Sequence, residues 1–154
     1  MSYDIFVFDP KAAPTGHAEF MDWFTAETEA SDSIEDFTDP KIASQQLQGW
    51  FSQISRTFPA LNGPTAPAGV KDMDEIGDYT FRPHSVYISF GWSLAQKAAQ
   101  EVFETAQAHR LGLFDLSSAT RDVYLPDGNR LKIAHSSKSK DGLLTKLGGL
   151  FKRT

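Results

Sequence analysis

Apolar residues run unbroken from Ile5 to Phe8, as in a strand covered on both faces, so Tyr3 to Phe8 predicts a first strand. Asp9-Pro10 and Pro14 stop it, and Thr15 can cap a helix whose Phe20, Trp23 and Phe24 fall at i, i+3 and i+4. A second helix takes Asp39 as N-cap and Pro40 at its first position, with Leu47, Trp50, Phe51, Ile54 and Phe58 on one stripe before Pro59. Residues 59–78 hold Pro59, Gly63, Pro64, Pro67, Gly69 and Gly77 and predict a long irregular loop, a kind that usually carries function or moves. Thr80-Phe81 and Val86 to Phe90 predict a hairpin around Arg82-Pro83-His84-Ser85, with Val86, Ile88 and Phe90 on one face. Ser93-Leu94-Ala95-Gln96 reads as a capping box opening a third helix through about His109, whose Ala95, Ala98, Ala99, Val102 and Ala106 make a small-residue face. Gly112 to Leu116 and Val123 to Leu125 complete the strands, the last turned off by Pro126-Asp127-Gly128.

The resulting order is β-αα-β-β-α-β-β. With the helix pair counted as one crossover this is the split β-α-β-β-α-β unit, so the expected fold is α+β with a ferredoxin-like antiparallel sheet. Right-handed crossovers put the helices on one face. The other face is then left for a tail, a second copy of the chain in a homodimer, or a partner.

Charge divides the chain further. Residues 1–129 hold 19 acids and 8 bases, whereas residues 130–154 hold 7 bases and one acid, Asp141. The expected organisation is therefore one domain over 1–129 and a basic extension over 130–154, joined through the low-complexity run 136–140. Within the extension Leu143, Leu144, Leu147, Leu150 and Phe151 repeat with helical spacing. Gly148-Gly149 weakens that helix by about 2 kcal/mol, at about 1 kcal/mol per glycine, so it should form only when docked. The acidic body is the expected dock, and a membrane surface is the alternative.

At 154 residues, 40% hydrophobic and 23% charged, the composition is that of an ordinary globular domain. No cysteine is present, which excludes disulfides, cysteine-ligated metals and thiol nucleophiles. The opening MSYDIFVFDP has no basic segment ahead of its short apolar run, and no stretch is long enough to cross a bilayer, so a cytoplasmic protein without stable membrane insertion is expected. A net charge of −5 argues against nucleic acid as the partner.

Catalytic signatures are missing: there is no G-x-S-x-G, P-loop, G-x-G-x-x-G or H-E-x-x-H, and His17, His84, His109 and His135 are scattered over four elements. No enzyme activity, metal or cofactor is therefore expected. Two groupings remain. Asp9, His84 and Trp92 could line one sheet edge and hold a ligand, although Asp9 also suits a turn before Pro10 and Trp92 a hydrophobic staple in the core. Asp115 ends the fourth strand and should lie near the start of the first, away from Asp9. Acids concentrate in Glu27 to Asp39 and in Asp72 to Asp78. Either they are simply solvated, or Asp32, Glu35, Asp36, Asp74 and Glu75 form an anionic surface that draws in a basic protein.

Four segments carry a resemblance: MSYDIFVFDP with Ala13-Pro14, the run Thr57 to Pro64 (TFPALNGP) with Ala66-Pro67, Val86 to Ser93 (VYISFGWS), and Gly112 to Ser117 (GLFDLS). Over residues 1 to about 128 the chain resembles a family of small bacterial cytoplasmic proteins that look like immunity proteins of polymorphic or contact-dependent toxins. The resemblance implies a protein that binds a cognate toxin domain and occludes its active site. It brings no catalytic residues with it.

Overall fold

The computed structural model describes residues 1–29 and 37–137 of the chain. Asp32, Glu35 and Asp36, and the helix expected over 143–151, lie outside the described residues. Over the described residues the fold is α+β: a six-stranded antiparallel sheet with three helices. In chain order these are β1 (Ser2–Phe8), α1 (His17–Glu29), α2 (Gln45–Ile54), β2 (Gly77–Arg82), β3 (Ser85–Gly91), α3 (Ala95–Ala108), β4 (Gly112–Asp115), β5 (Val123–Asp127) and β6 (Arg130–His135). Across the sheet they stand β2-β3-β1-β4-β5-β6.

The apolar run of β1 is explained by its central place. Ile5 and Val7 join the main core with the stripe Leu47, Trp50, Phe51 and Ile54 of α2 and with Ala98, Val102 and Ala106 of α3. Phe6 and Phe8, of opposite parity, join a second cluster with Phe20 and Phe24 of α1, Phe114 and Val123. Successive strand side chains point to opposite faces, so α2 and α3 share one side of the sheet and α1 lies on the other. Two features thus depart from the β-α-β-β-α-β expectation. The αα pair is divided between the faces, and a β5–β6 hairpin extends the sheet beyond β4. Residues 130–135, read from their charge as the start of an extension, are the sheet's edge strand, running from Asp127↔Arg130 to Val123↔His135.

Local signals meet mixed outcomes. Asp39 accepts from the Lys41 amide as expected, but it caps only a 3-10 turn over Pro40–Ile42; Ser44 caps α2 through the Leu47 amide. Ser93 does not cap α3, because the chain makes a 3-10 turn over Trp92–Leu94 and enters the helix without a side-chain cap. The 59–78 loop is tied to the outer edge of β2: Gly77 N–H donates to Pro59 O (3.0 Å) and Leu61 N–H to Gly77 O (2.9 Å). Further along that edge, Phe81 N–H donates to Phe37 O at 2.7 Å.

Candidate functional site

α1 is held by aromatic rings over β1 and β4, where Phe24 meets Phe6 and Phe114 edge-on at 4.9 Å each. The β2–β3 half of that face is not covered by the helix, and a cleft of about 370 Å³ opens there. Phe6, Phe24 and Leu116 form its apolar part, while Glu27, Thr28, Thr80, Arg82, Ser85 and Tyr87 supply polar groups. Strand alternation accounts for the polar set, since Tyr79, Phe81, Val86, Ile88 and Phe90 are buried in the core on the other face.

Glu27, Arg82, Ser85 and Tyr87 in this cleft are held by hydrogen bonds. Ser85 Oγ donates to Glu27 Oε1 at 2.6 Å, Arg82 Nε donates to the Glu27 carbonyl, and the Arg82 guanidinium lies 4.5 Å over the Phe37 ring. The Tyr87 hydroxyl donates to Asp4 Oδ2 at 2.6 Å, and Ser89 Oγ (2.9 Å) and Ser2 Oγ (2.7 Å) both donate to Asp4 Oδ1. Burial, reinforced by the bond to Asp4, raises the Tyr87 pKa above the ordinary tyrosine value, so the ring presents a protonated phenol. Ser85 stands beside a carboxylate but is only 1% exposed, so its hydroxyl is placed for structure and not for attack. A guanidinium, hydroxyls and a carboxylate beside an aromatic floor can orient a small polar ligand or a side chain of a partner.

The predicted edge site does not assemble. Asp9 and His84 do meet, the Asp9 amide donating to His84 O at 3.0 Å, and Asp9 Oδ1 accepts from the Lys11 amide as a turn residue. Trp92 lies at the opposite end of β1, because β1 and β3 are antiparallel and Ser2 pairs with Gly91. The C-terminal end of β3 therefore neighbours the beginning of β1. Nor is Trp92 in the core: it is 49% exposed, with its ring edge-on to Tyr3 at 6.3 Å. Asp115 is near the start of β1 as expected, paired with Ile5 and accepting from the Tyr3 hydroxyl at 3.1 Å. Burial raises its carboxyl pKa, opposed by the bonds from Tyr3 and the Ser117 amide.

Of the five candidate contact acids, Asp74 is exposed and Glu75 is half-buried, the latter in an ion pair with Lys97 at 2.6 Å. Sequence reading missed one pairing altogether. His17 at the start of α1 and His135 at the end of β6 stack face to face at 4.9 Å. Only the sixth strand, unseen in the sequence, brings them together. Among the described residues no three His, Asp or Glu side chains converge as metal ligands, and no helix is long and apolar enough to cross a membrane. Comparison with protein-family models, curated proteins and solved structures finds no match.

Proposed function

We propose that the chain is a non-catalytic binding protein of the immunity type, acting in the cytoplasm, which neutralises a basic toxin domain by covering its active site. The observation that supports this reading is uncompensated surface charge. Lys97–Glu75 and Lys132–Asp127 form ion pairs between described residues, while Glu19, Asp22, Asp72, Asp74 and Asp78 are exposed and belong to neither pair. Such a surface speeds encounter with a cationic protein, and a few buried anchors then hold it. Asp74 and Glu75, with Asp32, Glu35 and Asp36, are the proposed contacts. Co-expression with a basic toxin domain encoded beside it tests the reading: growth is restored and a stoichiometric complex forms, its association slowing as salt rises. Failure of rescue, or full rescue by a chain with all five acids changed to lysine, overturns it.

The α1-side cleft favours a second reading, a small polar ligand held by Thr80, Arg82 and Tyr87. This moves the ligand site away from the grouping of Asp9, His84 and Trp92, in which the strand directions separate Trp92 from the other two. A ligand at a hundred times its dissociation constant adds about 2.7 kcal/mol of stability, so a metabolite screen by thermal unfolding tests it.

A further inference from the structure

Helices packed side by side lie about 8–10 Å apart, and strands about 4.8 Å apart, so each helix covers about two strands. Six strands therefore offer three helix positions on one face. α2 occupies the first, its Phe51 meeting Tyr79 and Phe81 of β2 edge-on at 4.9 Å each. α3 occupies the second, over β1 and β4, and its C-terminal end reaches β6, where Gln107 Oε1 accepts from the Leu131 amide at 2.9 Å. The third position, over the part of β5 and β6 around Tyr124 and Ile133, carries no described helix.

Bordering it is a groove of about 360 Å³ between α3 and strands β1, β4 and β5. Ala99, Phe103, Leu113 and Tyr124 form its apolar walls, and Glu104 and Asp115 put carboxylates into it. Ile133 pairs with Tyr124 across β5–β6 and so shares its face; it is 56% exposed, a β-branched apolar residue that the described residues leave half uncovered. Neither Asp115 nor Glu104 is in an ion pair between described residues.

The described chain ends beside this groove. Ser137 N–H donates to Thr120 O at 2.9 Å and Ser136 Oγ to Asp122 Oδ1 at 2.6 Å, which fixes the exit point in the loop joining β4 to β5. Seventeen residues follow, with five bases, one acid and the helically spaced Leu143, Leu144, Leu147, Leu150 and Phe151. Leu143 is six residues past Ser137, an extended reach of about 20 Å at about 3.3 Å per residue. We propose that residues 143–151 are the missing third helix of this layer, docked beside α3 over β5–β6, with their leucines on Phe103, Tyr124 and Ile133 and their one lysine, Lys146, facing the carboxylates of Asp115 and Glu104. Three features of the molecule support that occupant: the exit point, the length of chain beyond it, and the opposite charge of groove and tail. The two glycines at 148–149 fit a helix that forms only against this surface.

The full chain has no cysteine, so Leu147→Cys provides a single site for a nitroxide label. In an isotope-labelled sample the proposal expects loss of amide signal at Ala99, Phe103, Tyr124 and Ile133, with Thr80 and Tyr87 unaffected. Adding Ile133→Lys, at a position already exposed, restores those signals while the dispersed spectrum of the fold remains. Loss at Thr80 and Tyr87 instead, or no loss anywhere, overturns the proposal. So does loss seen only when label and isotope sit on different copies, which means a dimer contact. Loss that is absent in the wild-type background while the chain binds vesicles of anionic phospholipid also overturns it, in favour of a membrane helix.

Discussion

Replacing Phe20 by alanine tests how α1, and with it one wall of the cleft, is held to the sheet. Phe20 is 1% exposed; its ring lies 5.2 Å from Phe8 and 5.6 Å from Phe114, the latter edge-on. A buried phenylalanine removes roughly 150–200 Å² from water. At about 25 cal/mol per Å² that is about 4 kcal/mol, inside the range of about 3–5 kcal/mol expected for such truncations. The cavity opens in the α1-side cluster, which is separated by the sheet from the core under α2 and α3. Chemical unfolding followed by circular dichroism should therefore show a loss of about 3–5 kcal/mol, and the midpoint of thermal unfolding should fall by about 2–4 °C per kcal/mol. Hydrogen exchange separates local from global effects, since α1 amides should lose more protection than those of α2. A loss below about 1 kcal/mol, or equal exchange in both helices, would refute the reasoning, because α1 would then not rest on the sheet through its aromatic stripe.

Other outcomes follow from single contacts. Gly112→Ala should cost about 1–3 kcal/mol by overpacking, because a Cβ at that position would enter the Phe8 ring; an unchanged unfolding midpoint would count against the β1–β4 register. Trp50→Phe removes the buried Nε1–H bond to Thr105 Oγ1 (2.9 Å) and should cost about 1–3 kcal/mol, with Thr105→Ala adding less in that background than alone. Burial raises the Asp115 pKa, so ionisation works against folding, and its stabilising contribution is present at low pH and lost as pH rises through the folded-state value. Asp115→Asn should therefore gain stability relative to the native chain as pH rises through the carboxylate range; a difference independent of pH would exclude that role. Changing Asp74 and Glu75 to lysine should slow association with a basic toxin domain at low salt far more than at high salt, measured by stopped flow.

The parts of the fold legible in the sequence were those written in one residue period and bounded by proline or glycine. Ile5 to Phe8, the α2 stripe and the Arg82–Ser85 hairpin were of this kind. β6 was not legible because Arg130, Lys132 and the residues after them read as charge, and only Leu131 and Ile133 alternate against it. The side of the sheet taken by α1 depends on whether Phe20 and Phe24 meet Phe6 and Phe8 or Ile5 and Val7. Helical spacing contains no information on that choice. Strand direction undid the Trp92 grouping, since an antiparallel neighbour puts residues of like position at opposite ends. The cleft was invisible for a related reason: Glu27, Arg82, Ser85 and Tyr87 come from three elements and form no motif along the chain. For the acids the sequence supplies the charge, while the described structure places only Asp74 and Glu75.

The position of β1 has a consequence for synthesis. It is made before the other five described strands, yet its two neighbours are β3 and β4, whose residues follow about eighty or more positions later. Until Ser85 to Asp115 have left the ribosome, Ile5-Phe6-Val7-Phe8 has neither an edge to pair with nor a layer to cover it. Pairings of such sequence separation close slowly, and a short uncharged β-forming segment left exposed is where nascent chains associate with one another. Translation rate and chaperone supply should therefore govern the yield of this protein more strongly than its final stability does.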